Sequence, residues 1–164
     1  MLARLERAFV AANRALLGLM MLAMTALVFT NVVTRYGFGF SIAWVEEVSL
    51  YLMVWIAYLG AGLAMREGRH VAIEAFQDRL PARAVPRVRA AIGLAVLAFL
   101  ACLAVLGFRF ALFAWDQETP VLEIPAGIPY LAIPVGAVVF GLHFVLVFRD
   151  YAARRLTRPE GAEA

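Results

Sequence analysis

The stretch N-V-V-T-R-Y-G-F-G-F-S-I-A-W-V-E-E, from Asn31 to Glu47, opens onto a charge-free apolar run from Val48 to Met65, and R-E-G-R-H, from Arg66 to His70, closes it. A helix crossing a hydrocarbon core of about 30 Å needs roughly 20 such residues, so this run is of membrane length. The paired acids at its mouth are costly near hydrocarbon, about 2.5–3.5 kcal/mol each at a helix centre and less toward the interface. Glu46 and Glu47 must therefore meet water, lipid headgroups or a protein partner. Everything else in the chain is plainer chemistry.

Working outward, three further apolar blocks flank this one: Ala15 to Thr34, Ala90 to Phe108 and Ile124 to Phe148. Of the 164 residues, 64% are hydrophobic and only 16% charged, far from a soluble domain. The sequence predicts an all-α, integral membrane four-helix protein. Its helices fall at about 15–34, 45–66, 90–114 and 128–148, within a single transmembrane domain over residues 1–158. Prolines ahead of the last block delay its helix to about Ile128, and a polar tail follows at 159–164. The first block has the basic start of a signal peptide (Arg4, Arg7, Arg14). Its apolar core is too long, and no A-x-A cleavage site follows, so it is expected to remain as a helix.

All fifteen basic residues are arginine. They cluster before helix 1, between helices 2 and 3, and after helix 4, whereas Asp116, Glu118 and Glu123 lie between helices 3 and 4. The positive-inside rule then puts both termini and the middle loop in the cytoplasm. The net charge of +3 reports that topology and gives no case for nucleic-acid binding. In the middle loop Ile73, Phe76 and Leu80 share one face, which suits a short amphipathic interfacial helix stopped by Pro81. In the outer connection from Arg35 to Ala43, glycines supply turns, Ser41 is placed to cap helix 2, and Tyr36, Phe38, Phe40 and Trp44 form an aromatic belt.

Signatures of hydrolase, metal and nucleotide sites (G-x-S-x-G, H-E-x-x-H, C-x-x-C, a P-loop) are missing, so no catalytic residue, cofactor or metal is assigned. A haem pair would need two histidines in the bilayer, but His70 lies at the end of helix 2 and only His143 lies within a helix, where packing or hydrogen bonding is its ordinary role. Cys102 is expected to be a small packing residue. Arg109 sits late in helix 3, about 10 Å outward from the helix midpoint. It either pairs with Glu46, Glu47 or another subunit, or snorkels to headgroups while the glutamates complement the amino end of helix 2. A proton or cation site at the coupled glutamates is a third reading, but no further acid in the cores continues a relay. Small residues at Ala57/Ala61, Gly60/Ala64 and Gly107/Ala111 have the spacing of close helix packing.

Taken in order, Asn31-Val32-x-x-Arg35-Tyr36-x-Phe38, Trp44-x-Glu46-Glu47, Trp55, Leu59-Gly60, Arg66-x-x-x-His70 and Pro120-x-Leu122-x-Ile124-Pro125 with Tyr130 and Ile133-Pro134 make a recognisable set. The set resembles the small membrane subunit of tripartite ATP-independent periplasmic (TRAP) transporters, the DctQ-like family. That resemblance implies a non-enzymatic accessory of the bacterial inner membrane. It would dock on and stabilise a large permease subunit for sodium-driven uptake of a solute, commonly a carboxylate, delivered by a periplasmic binding protein. It further casts Glu46 and Glu47 as orienting or inter-subunit contacts, Arg35 and Trp44 as an outer interfacial shell, and Arg66 and His70 as an inner anchor. The rival is a self-contained small multidrug-type exporter acting as a homo-oligomer. Exporters of that topology use an acid in helix 1, where this chain has only Thr25, Thr30 and Asn31.

Overall fold

The computed structural model describes residues 2–66 and 85–152, with side chains described for 4–66 and 85–148. His70, the amphipathic pattern at Ile73–Leu80 and the polar tail lie outside the described residues. The helices are α1 (Leu2–Gly37), α2 (Ala43–Arg66), α3 (Val85–Phe113), a short α4 (Gly127–Tyr130) and α5 (Ala132–Ala152). A 3-10 turn, Ala114–Asp116, ends α3. Four helical segments are long and apolar enough to cross a membrane. Among the described residues there is no strand, only an isolated bridge between Glu118 and Pro125. The molecule is an all-α, four-helix membrane protein.

Chain punctuation sets these limits. Past Gly37 the chain turns back through Gly39, whose φ of +75° a side chain would strain. The amides of Phe38 and Phe40 donate to the Thr34 carbonyl at 3.1 and 3.3 Å, which closes the end of α1. Ser41 does not cap α2, contrary to expectation. Helix α2 starts two residues later, and the Ser41 hydroxyl accepts from Arg35 instead. Pro134 is the third residue of α5, where its missing N–H has no intrahelical acceptor to lose and the helix runs on. α1 begins well ahead of the charge-free run because Glu6 and Asn13, one turn and three turns in, both find partners on other helices.

The helices pack in the order α1–α2–α5–α3, a layer with α2 and α5 central. In its most apolar stretch α1 is only 6% buried against 39% for the last span, so α1 is a peripheral helix held along one side. Leu22, Phe29 and Phe99, each at least 64% exposed, point away from the protein. In water such surfaces would aggregate; in a bilayer they are the required solvent face. Cys102, expected to pack, is exposed. The innermost contact lies between α2, α3 and α5, where Met65, Phe144 and Val147 meet Val96, Leu97, Phe140 and Phe148.

Hydrophobic burial contributes little between helices in lipid, so close approach has to hold them. Two glycines provide it between α2 and α5. A side chain at Gly62 would come within 2.8 Å of the Phe140 backbone, and one at Gly136 would overlap Tyr58. Of the small pairs, Gly107 is buried where α3 meets the start of α5, Ala111 is buried against Gly127 of α4, Gly60 lies against Leu17 of α1, and Ala57 is exposed. Gly136→Val should therefore lower stability by about 1–3 kcal/mol through overpacking. Gly141→Val, which faces open space, should stay within about 0.5 kcal/mol. Denaturant titration in detergent, followed by circular dichroism, checks both.

Candidate functional site

The polar residues gather at the two ends of the layer. At the end that carries the α1–α2 and α3–α4 connections, Asn31 of α1 reaches across the turn and its Oδ1 accepts the Ile42 N–H at 2.8 Å. One otherwise unsatisfied donor ahead of α2 is thereby paired. Arg35, one turn further along, donates from Nη2 to Ser41 Oγ at 3.0 Å and to Glu46 Oε1 at 2.5 Å. Both partners of that ion pair are about half exposed, which limits its contribution to at most about 1 kcal/mol. Trp44 and the aromatics Tyr36, Phe38 and Phe40 stand exposed around it.

Glu47 is engaged quite differently. Its Oε2 accepts the backbone N–H groups of Val121 and Leu122 at 2.9 and 3.1 Å, from a loop 74 and 75 residues away. Its Oε1 accepts the Tyr51 hydroxyl at 2.5 Å, one turn along α2. The loop it grips is a small hairpin between α3 and α4. Thr119 N–H donates to the Ile124 carbonyl, Ala126 N–H to Gln117, and Thr119 Oγ1 accepts the Ile124 N–H at 3.3 Å. The hairpin closes through Glu123, whose φ of +51° is a left-handed conformation uncommon outside glycine. Glu47 thus ties α2 to this segment, and the buried Thr119 side chain adds to the tie beside Glu47 and Tyr51. A cleft of about 370 Å³ between α2 and this hairpin is lined by both glutamates, Leu50, Pro120 and Val121.

At the opposite end Arg66, the last residue of α2, forms an ion pair with Glu6 of α1, both partly buried. Two to three turns into the layer, His143 of α5 is fully buried. Asn13 Nδ2 of α1 donates to the Leu59 carbonyl of α2 at 3.1 Å, which fixes the orientation of its amide. Its second N–H then points to His143 Nε2, also at 3.1 Å, so that nitrogen accepts and the neutral ring carries its proton on Nδ1. Phe9 packs on the ring at 4.6 Å between centroids. One asparagine therefore joins three helices. The sequence reading passed over Asn13, which stands just ahead of the apolar run; its only signal was a lone amide among apolar residues at the start of a membrane helix.

Of the seven residues singled out from the sequence, the structure brings Arg35, Trp44, Glu46 and Glu47 to one end of the layer and Arg66 to the other. His70 lies outside the described residues. Arg109 pairs with neither glutamate, because Arg35 and the loop amides already occupy them. It is exposed on the flank of α3, beside an apolar groove. Among the described residues no group of three or more His, Cys, Asp or Glu side chains could hold a metal ion.

Four membrane-length helices, joined by polar contacts at both ends of the layer, define a multi-pass membrane protein. Residues 24–154 match the family described as tripartite ATP-independent periplasmic transporters, DctQ component. Over 124 residues the chain is 34% identical to a Haemophilus influenzae protein assigned as a TRAP transporter small permease protein, covering 70% of this chain and 71% of that one. It is 34% identical over 119 residues to the C4-dicarboxylate TRAP transporter small permease protein DctQ of Rhodobacter capsulatus, covering 70% of this chain and 51% of the relative. A third similarity, 28% over 113 residues, is to the isethionate TRAP transporter permease protein DctMQ of Oleidesulfovibrio alaskensis, where 68% of this chain aligns with 17% of the longer polypeptide. The chain belongs to the DctQ family of TRAP transporter small permease subunits. It is accordingly a multi-pass inner-membrane transporter component and not an enzyme.

The two adjacent glutamates should behave differently when truncated. Glu47→Ala removes the acceptor for two backbone donors and should speed hydrogen exchange at Val121 and Leu122 by about tenfold or more. Glu46→Ala removes one exposed ion pair and should leave those amides unchanged and stability within about 1 kcal/mol. Amide exchange read by mass spectrometry in micelles distinguishes them.

Proposed function

We propose that this chain docks on the large membrane subunit of a TRAP transporter, widens and steadies its static part, and leaves solute translocation to that subunit. The single observation that carries the reading is how the polar groups are used. Glu6, Asn13, Asn31, Arg35, Glu46, Glu47, Arg66 and His143 each bond to another part of this chain. A solute pathway needs many polar groups left over to replace the solute's hydration, whereas among the described residues only Ser49 Oγ, Arg66 Nη1 and His143 Nδ1 are buried without a partner. Family membership agrees with this, and so does the isethionate permease polypeptide, in which a segment like this chain is part of one longer permease.

On this reading both termini are cytoplasmic, as the arginine distribution requires, and the Glu46–Glu47 end faces the periplasm. There the Arg35–Glu46 pair, Trp44 and the hairpin clipped by Glu47 offer a structured surface to a periplasmic solute-binding protein. Arg66 with Glu6, and His70 beyond it, anchor the cytoplasmic side. The transporter is driven by sodium, and the solute is set by the binding protein and large subunit. A carboxylate-bearing solute agrees with the C4-dicarboxylate relative, while relatives named for ectoine and for isethionate agree with the small subunit leaving the choice of solute to its partners.

Co-expression of the tagged chain with its genomic neighbours, extraction in mild detergent and mass spectrometry of the pull-down test the docking. A large multi-spanning permease in fixed stoichiometry is expected. Recovery of the chain alone, as a homo-oligomer, would contradict the docking and favour the small-exporter alternative.

A further inference from the structure

Between α3 and α5, on the outer surface of the layer, lies an apolar groove of about 540 Å³. It runs beside Ala104, Val105 and Phe108 on α3 and Pro134 and Val138 on α5, with Arg109 as its one charged residue. The helices meet closely on the buried side, where Gly107 lies against Ile133 and Pro134. On the open side Ala104 is too small to fill the space. Arg109 is exposed and makes no ion pair or hydrogen bond among the described residues.

Three facts about length and charge point to what fills the groove. Its lining spans 131–139 on α5, about 12 Å at 1.5 Å per residue. That is less than half of a hydrocarbon core of about 30 Å and fits within one leaflet. A partner's spanning helix would need a seam running the whole depth, whereas an acyl chain needs only a leaflet. Arg109 lies about 10–15 Å outward from the middle of its helix at 1.5 Å per residue, in the outer part of one leaflet, from which a long arginine side chain reaches the edge of the hydrocarbon. Phosphate groups lie just beyond that edge, and a guanidinium binds phosphate through paired N–H donors.

We propose that this groove binds one glycerophospholipid, with its phosphate held by Arg109 and an acyl chain lying along Val105, Phe108, Pro134 and Val138. The site supplies a counter-ion for Arg109, which makes no ion pair among the described residues. It also seals the shallow seam between α3 and α5 against the bilayer. The inference is independent of the docking reading, because it uses only residues of this chain.

Native mass spectrometry of the full-length chain in detergent micelles, titrated with phosphatidylglycerol, tests it. The wild type should retain one phosphatidylglycerol, and diacylglycerol with the same chains should not be retained. Arg109→Gln should weaken binding about tenfold or more, the scale of one lost charge-assisted contact, while Arg109→Lys, which keeps the charge without the paired donors, should weaken it less. Val138→Trp, which fills the groove and leaves the arginine in place, should also weaken binding; circular dichroism shows that each variant keeps its helices. Equal retention by wild type and Arg109→Gln would overturn the site, as would equal retention of diacylglycerol. Competition by inorganic phosphate would mean that a free anion is the ligand and the lipid is not. In the assembled transporter, a photoreactive residue at position 138 should capture phospholipid; capture of a large-subunit polypeptide would overturn the assignment in favour of a protein contact.

Discussion

Hydrocarbon offers no partner to a polar group, so a donor or acceptor at membrane depth is costly unless it is matched within protein or brought to the interface. This constraint organises the chain more than its hydrophobicity does. Glu47 is tolerable at the entrance of α2 because three donors converge on it: two backbone amides and the Tyr51 hydroxyl. Asn13 is tolerable inside α1 because Leu59 and His143 take both of its N–H groups. All of these matches except that of Tyr51 cross between elements. Satisfying the polar groups is therefore also what fixes how the elements sit.

The apolar surfaces do a different job. Lipid tails are as apolar as leucine, so burying one leucine against another contributes little, and the helices hold where their backbones come close. Gly62 and Gly136 put that contact between α2 and α5, which become the centre of the layer. α3 is added through Gly107, while α1 is added through Gly60 and the Asn13 node. The product is a thin layer with two broad lipid-facing or partner-facing sides. Such a shape suits a subunit that extends another membrane protein better than one that encloses a pathway of its own.

The sequence made the four spans legible because bilayer thickness is a hard ruler, and it made Glu46 and Glu47 conspicuous because paired acids are rare beside hydrocarbon. It did not disclose their partners. Arg109 was a candidate on depth alone, but Arg35 stands only eleven residues from Glu46 across a tight turn and reaches it first. The amides that hold Glu47 belong to Val121 and Leu122, whose side chains say nothing about a backbone contact more than seventy residues away. Helix faces were equally hidden. In lipid both sides of a helix are apolar, so periodicity cannot separate the lipid face from the packed face, and only small residues hinted at the latter. Even these misled at Ala57, which is exposed, while Gly62 and Gly136, the glycines that matter most for α2 and α5, were not among the expected pairs.

The proposed role is that of a subunit that uses its polar groups mainly for its own architecture and supports transport without conducting the solute. Solute uptake into proteoliposomes under an inward sodium gradient tests that claim most directly, comparing this chain alone, the large subunit alone, and both together with the binding protein. The account predicts no flux from this chain by itself and full uptake only when all three components are present. Solute flux catalysed by this chain alone would contradict it.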